Sequence, residues 1–295
     1  KPEKCGGYIM SYRFVCGKAR LKKVKELPPP LGVVTRKDGS TAPAHFYVPT
    51  PPSDRHLIPT LEVTEESEML GTFFAPASDG THHLTEMRGK GMEWADRITT
   101  RPLPRSDAWL SFFLQLFPGM TWGLETIVMA PQKMEEAMQK LYFRILPLLG
   151  VNRHIAKEWR MLPEQFHGLG LPNFVVLCFA AKVYFLQRHF GFQDAVGVMM
   201  MHAFEAFVVE VGLYGDIFAH DFEQFGCLAT ETTWFRSFWE SARHLNFDVK
   251  LADHFFLHPV REHDCSLAES FSAEYDVPTR GRLQRVAHYK GVHHL

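Results

Sequence analysis

The sequence predicts an α+β protein, with a small β-rich N-terminal part followed by a mostly α-helical body. Three observations carry this expectation. Residues 1–80 hold short runs of β-forming residues cut by prolines and turn dipeptides. From Thr81 onward, apolar residues recur at three- and four-residue spacing. The chain has 295 residues, 46% hydrophobic and 22% charged, enough to bury a core and too apolar for a wholly disordered chain. The expected divisions are 1–80, 81–190 and 191–295.

Residues 7–16 partly alternate and carry β-formers, so they predict a strand. Leu27-Pro28-Pro29-Pro30 breaks regular structure, and Lys37-Asp38-Gly39-Ser40 reads as a turn, as in a hairpin. Pro49, Pro51 and Pro52 predict another irregular stretch. Glu68 to Phe74 predicts a short strand closed by Ser78-Asp79-Gly80. The first helix follows, with Met87, Trp94 and Ile98 on one face, and Pro102 and Pro104 end it. Ser106 or Asp107 is suited to cap a helix bearing Trp109, Leu110, Phe113, Leu116 and Phe117. Pro131 suits a helix first turn, and Pro147 and Gly150 end or kink that helix. Residues 160–173 form a connection. Helices are expected over 173–190, 194–212 and 230–245, with one or two short ones within 248–270 and irregular chain beyond.

The formal charge is −1, so bulk charge does not advertise a polyanionic partner. The distribution is uneven: residues 1–40 hold ten Lys/Arg and three acids. That segment reads either as a solvated basic loop or as a phosphate-facing surface. Five scattered cysteines imply no disulfide framework. The first residues are polar and basic, unlike a signal peptide, and Lys182, Gln187, Glu205 and Glu210 interrupt the most apolar stretches, so no membrane span is expected.

Nucleotide-binding glycine loops and the Gly-x-Ser-x-Gly elbow are absent. His254, His258, His263 and Cys265 form the one metal-like cluster, but Pro259 interrupts it and its order matches no common zinc finger, so no metal ligand is assigned. Trp234, Phe235, Phe238 and Trp239 are spaced for an amphipathic helix that packs into a core, with base stacking as the rival use.

Several segments, in order, resemble the region after the catalytic palm of non-LTR (LINE-like) retroelement reverse transcriptases. Lys1-Pro2-Glu3-Lys4-Cys5 resembles the stretch these enzymes carry shortly after their Asp-Asp box, and Tyr8 to Gly17 resembles the strand and loop that follow. Met69 to Pro76 resembles the primer-grip strand, and Asp79-Gly80 its turn. Trp94 to Ile98 resembles a helix at the start of the thumb. His167-Gly168-Leu169-Gly170-Leu171-Pro172-Asn173 resembles a Gly-Gly-Leu-Gly-Ile-Pro-Asn motif. Trp234 with Trp239, Arg261 to Leu267 and the final Tyr289 to Leu295 resemble later elements. Two departures stand out: Gly6-Gly7 where the family carries aromatics, and His167 for glycine.

The resemblance implies the end of a polymerase palm over 1–80, a helical thumb-like region over 81–190 and a truncated helical connection over 191–295. It implies an RNA template and a DNA primer as partners of the parent protein. Lys4 would be the general acid toward pyrophosphate, with Lys1 its nearest competitor. Leu70, Gly71 and Thr72 would sit at the primer grip, and Arg88, Lys90 and Arg97 would track phosphates from the first thumb helix, unless they are simply solvated. The chain has no Asp-Asp pair. The carboxylates that hold two divalent metals in this chemistry are therefore expected upstream of Lys1, with the remaining palm and fingers. Mg²⁺ belongs to the parent polymerase, and none is assigned to this chain, which alone should not polymerise. An active retroelement would place it in nucleus and cytoplasm. The alternative is a decayed or repurposed, non-enzymatic helical protein.

Overall fold

A computed structural model describes residues 6–15, 18–36, 38–50, 54–69, 72–77, 80–192, 194–213, 216–230, 233–251, 263, 265–290 and 292. The architecture is α+β, with small antiparallel hairpins near the N-terminus and a helical body after them. The chain divides into two compact units, Lys1–Ser78 and Asp79–Leu295.

The first unit is built from four antiparallel hairpins. Strand β1 (Tyr12–Val15) pairs with β2 (Lys18–Leu21), and β3 (Gly32–Thr35) with β4 (Thr41–Ala44). The β3–β4 turn is the expected one: Gly39 takes φ +81°, and Ser40 donates through its amide and hydroxyl to Asp38 Oδ1 at 2.9 and 2.6 Å. Those donors hold the Asp38 carboxyl below its ordinary range. Pro49, expected in an irregular stretch with Pro51 and Pro52, is instead paired, because β5 (Phe46–Thr50) runs against β6 (Asp54–Ile58) with Pro49 opposite Arg55, while Pro51 and Pro52 lie outside the described residues. A two-stranded ribbon leaves outward amides without a partner strand, and there proline's missing donor costs little. The predicted strand over 68–74 is a hairpin too, β7 (Ser67–Met69) against β8 (Thr72–Phe74).

Buried apolar residues in this unit are mostly small: Ala42, Ala44, Leu61, Val63 and Ala75. Polar contacts therefore do much of the joining. Tyr8 Oη donates to Glu65 O at 2.7 Å, and His45 Nδ1 meets Thr60 Oγ1 at 2.8 Å. Gly7 bridges to Thr60, and a Cβ there would stand 2.6 Å from the Phe46 ring. The glycine pair at 6–7 thus has a local steric reason, since an aromatic side chain would collide with Phe46 or Leu61.

The second unit is helical. Helix α1 (Thr81–Thr100) packs along α4 (Pro131–Leu148). Between them in sequence lie α2 (Arg105–Ser111), a widened segment over Phe112–Leu116 and α3 (Phe117–Thr121). The widening is visible in the Phe117 amide, which reaches back five residues to Phe112 O. Ser106 and Asp107 do not cap α2 as expected. Pro104 is the cap residue, and the Ser106 hydroxyl turns to Asp107 instead. Pro131 opens α4 as predicted.

After α5 (Lys157–Met161) comes α6 (Phe174–Phe192), whose first half joins one core and whose second half joins another. The first core gathers Met87, Trp94, Phe112, Met138, Leu141 and Phe174. The second gathers Phe179, Phe204, Phe207, Phe218, Phe238 and Trp239, from α6, α7 (Ala195–Val211), the loop after it and α9 (Trp234–His244). Phe179 stacks on Phe238 with centroids 5.2 Å apart. Phe235, Phe238 and Trp239 are 2%, 0% and 0% exposed, so these three rings belong to the core and are closed to bases, while the half-buried Trp234 stacks on Phe238.

The short α8 (Phe222–Phe225), α10 (Leu267–Glu274) and α11 (Val277–Lys290) complete the unit. Helix α11 falls where irregular chain was expected. It docks through polar groups: Gln284 Nε2 donates to Val211 O at 2.8 Å and Arg280 Nη1 to Gln224 O at 3.0 Å. No described helix is long and apolar enough to cross a membrane.

Candidate nucleic-acid interface

Helix α1 buries Leu84, Met87, Gly91, Trp94 and Ala95 on one side. Its next face, turning toward α2, bears Lys90, Glu93 and Arg97, with Arg101 just past its end. These line a cleft of about 560 Å³ whose far wall is Leu103, Asp107, Leu110, Leu114 and Gln115. Helical geometry explains the grouping. Lys90 and Arg97 are seven residues apart and Arg101 four further, so the three recur on one stripe, spread over about 16 Å of axis.

The floor is fixed by Trp94, whose indole Nε1 donates to Ser111 Oγ at 3.0 Å, while that hydroxyl donates to Gln115 Oε1 at 3.1 Å. Lys90 Nζ donates to Gly119 O at 3.2 Å, which holds its ammonium at the mouth. Arg97 pairs with Glu93 one turn back, with side-chain exposures of 75% and 64%. A pair so exposed costs little to break, and Arg97 can exchange Glu93 for another anion. Counting Glu93 and Asp107 against Lys90, Arg97 and Arg101 leaves the cleft weakly positive. Leu110 and Leu114 are 59% and 67% exposed, an apolar rim beside the cations.

The structure thus brings together two of the three helix residues predicted to meet phosphates. Arg88 is exposed but lies about half a turn away from Lys90 and Arg97, on another side of α1. Arg101, just past the end of α1, was not among the predicted residues, although it continues the Lys90–Arg97 spacing. Of the primer-grip residues, Thr72 is the first residue of β8, opposite Met69. Leu70, Gly71 and Lys4 lie outside the described residues, as do Lys1, His254 and His258.

The basic N-terminal segment is partly neutralised within its own unit. Arg13 Nη1 meets Glu26 Oε1 at 2.7 Å, and both terminal nitrogens of Arg36 reach the Glu65 carboxylate. Glu62 Oε2 accepts from the Val24 amide at 3.1 Å. Arg20, Lys23 and Lys25 remain exposed. Among the described residues, no group of three or more His, Cys, Asp or Glu is arranged to hold a metal ion.

Comparison with protein-family models, with curated proteins and with solved structures finds no match for this chain.

Proposed function

We propose that the chain is part of an RNA-directed DNA polymerase, a reverse transcriptase of a retrotransposon, and that it contributes to template–primer binding without supplying the catalytic aspartates. The observation that supports this reading is the stripe Lys90, Arg97 and Arg101 along one cleft of α1, shortly after the β7–β8 hairpin in sequence. The ordered sequence motifs name the same two consecutive elements, a primer-grip hairpin and the first thumb helix. Three cations spaced along a helix suit contacts to successive backbone phosphates, which position a duplex without reading its sequence. Within the parent polymerase, Mg²⁺ supplies the two-metal clamp for nucleotide transfer. The described residues offer no set of ligands for it, so no step of that chemistry is assigned to them.

The test is binding of a fluorescently labelled RNA–DNA primer–template at several salt concentrations. Affinity should fall with salt at a slope of about −2 to −3, as expected when roughly three phosphates are neutralised. The variant K90A/R97A/R101A should lose most of that slope. Salt-independent binding, or a triple variant that binds as wild type, would overturn the assignment. The same chain with Mg²⁺ and nucleotides should extend no primer.

One observation favours a second reading, a repurposed non-enzymatic helical protein. The exposed Leu110 and Leu114 beside the cleft suit a protein partner better than a phosphate backbone. A folded, helical chain with no affinity for primer–template at low salt would select it.

A further inference from the structure

The motif His167 to Asn173 does not reach the α1 cleft, yet it builds a second site. Its backbone folds back on α5. Leu169 N donates to Trp159 O at 3.0 Å, Gly170 N to Leu162 O at 3.0 Å and Leu171 N to Arg160 O at 2.8 Å. The return is so close that a Cβ on Gly168 would lie 1.9 Å from Leu162 O, so only glycine fits there. His167 and Gly170 both take φ +62° to make the turns. Pro172 O then accepts the Tyr142 hydroxyl at 2.6 Å, and Asn173 Oδ1 accepts the Val175 amide at 3.0 Å, capping α6.

These contacts hold Arg160 in place. It is only 8% exposed, and its Nε is buried with no hydrogen-bond partner. Among the described residues its guanidinium meets no carboxylate, and its carbon stands 5.9 Å from the centroid of the Tyr142 ring. Arg160 and Tyr142 are two walls of one pocket of about 120 Å³, whose other walls include Met138, Met161, Phe174 and Val175. A buried cation without an anion is costly, and a protein that keeps one has a use for it. The first turn of α6, a helix of 19 residues, also lies on this pocket, with its Val175 and Val176 amides already held by Asn173 Oδ1.

We propose that this pocket binds a small organic carboxylate with an apolar body. The carboxylate takes the Arg160 fork, and the body lies against the methionines and Phe174. Three features select that class. Lys157 is already committed, with Nζ 2.8 Å from Glu135 Oε1, so the walls carry a net single positive charge, matched by a monoanion. The planar guanidinium matches a carboxylate with two parallel hydrogen bonds. The remaining walls are largely apolar, and at about 120 Å³ the pocket is smaller than the cavity near 150 Å³ that holds benzene, which limits the body to at most one small ring reaching toward the mouth. This inference stands apart from the polymerase reading, and neither depends on the other.

The experiment titrates the full chain with sodium benzoate, benzyl alcohol and sodium phosphate, following amide chemical shifts. Benzoate should saturate one site, with benzyl alcohol and phosphate each at least about tenfold weaker. Arg160→Met should weaken benzoate by a similar factor, with circular dichroism reporting whether the variant folds. Benzoate binding no tighter than benzyl alcohol or phosphate would overturn the proposal, as would a folded R160M that binds benzoate like wild type. If R160M does not fold, the three-ligand comparison on the unaltered chain decides alone.

Discussion

Lys182 Nζ donates to Ser237 Oγ at 2.9 Å in a core where the lysine has no solvent exposure. The serine is a hub: its hydroxyl also donates to Met129 O at 3.0 Å and accepts from the Met129 amide at 3.2 Å. Helices α6 and α9 and the approach to α4 meet there. The Trp234 ring, 5.7 Å away, supplies a weak further attraction. Burial drives the Lys182 amine below its ordinary range, with partial opposition from Cys178 and Glu240.

Replacing that lysine should therefore stabilise the protein. In Lys182→Met the serine keeps both contacts to Met129, so no buried polar atom is orphaned, and a buried amine is replaced by an apolar group of similar length. A gain of about 1–2 kcal/mol is expected by chemical denaturation. Because the folded-state pKa is lowered, the unfolded chain binds more protons, and wild-type stability should rise as pH climbs toward 10.5. K182M should lack that rise. Ser237→Ala works the other way, stranding both the lysine and the Met129 amide, at a cost of about 1–3 kcal/mol. A K182M that melts lower than wild type would show that the amine holds the three segments together.

His83, 4% exposed on α1, gives the opposite end of the pH range. Burial first, then the charges of Lys90 and His82, push its pKa down to about 4 from 6.5. Below 6.5 the unfolded state takes up a proton that the folded state resists, so stability should fall as pH drops through the window from 6.5 to about 4. The loss should be roughly 2 kcal/mol after allowing for solvent screening. Melting curves at pH 7, 6, 5 and 4 would display it, and His83→Gln should flatten the profile. An equal acid slope in the variant would assign the loss to other groups.

What was legible follows from which interactions leave a periodic mark. Apolar spacing exposed α1, α4 and α9, because each buries a stripe, and overall apolarity marked α6 and α7. Helix α11 was not legible, because it docks through Arg280 and Gln284 onto backbone carbonyls and has no such stripe. The β5–β6 hairpin was hidden by Pro49, whose meaning depends on which edge of the strand is free. At the α1 cleft, Lys90 and Arg97 came only from the resemblance of this helix to a thumb helix, which named Arg88 equally and could not tell which face each would take. Arg101 had a signal in its four-residue step from Arg97, whereas the exposed Leu110 and Leu114 required knowing that α2 turns back beside α1. Arg160 had no sequence signal at all, since a buried, unpaired arginine looks like any surface arginine until its neighbours are known.

Two glycines of α1 separate packing from propensity. A Cβ on Gly91 would stand 2.6 Å from Leu141 Cδ1, whereas Gly89 has no such neighbour within 4 Å and is exposed. Gly89→Ala should stabilise by about 0.5–1 kcal/mol through helix propensity. Gly91→Ala gains the same propensity but pushes α1 off α4 in a filled core, for a net cost of about 1–2 kcal/mol. Equal effects at the two positions, read from denaturation midpoints, would mean that Leu141 simply rotates away.

The Glu93–Arg97 pair acts as a dial on the α1 cleft. Glu93 lies one turn before Arg97, and both side chains are mostly exposed. Glu93→Gln removes the carboxylate that competes for the guanidinium and raises the net charge of the cleft by one. If the cleft follows a phosphate backbone, affinity for primer–template should rise about three- to tenfold at low salt, and the salt dependence should steepen by nearly one phosphate's worth. Folding should barely change, because an exposed i,i+4 pair contributes only about 0.3–0.5 kcal/mol. Charge-driven binding elsewhere, for instance at the exposed Arg20, Lys23 and Lys25 of the other unit, predicts an unchanged slope in E93Q. Binding and slope measured on the same two proteins therefore decide whether the cleft carries the interaction or merely borders it.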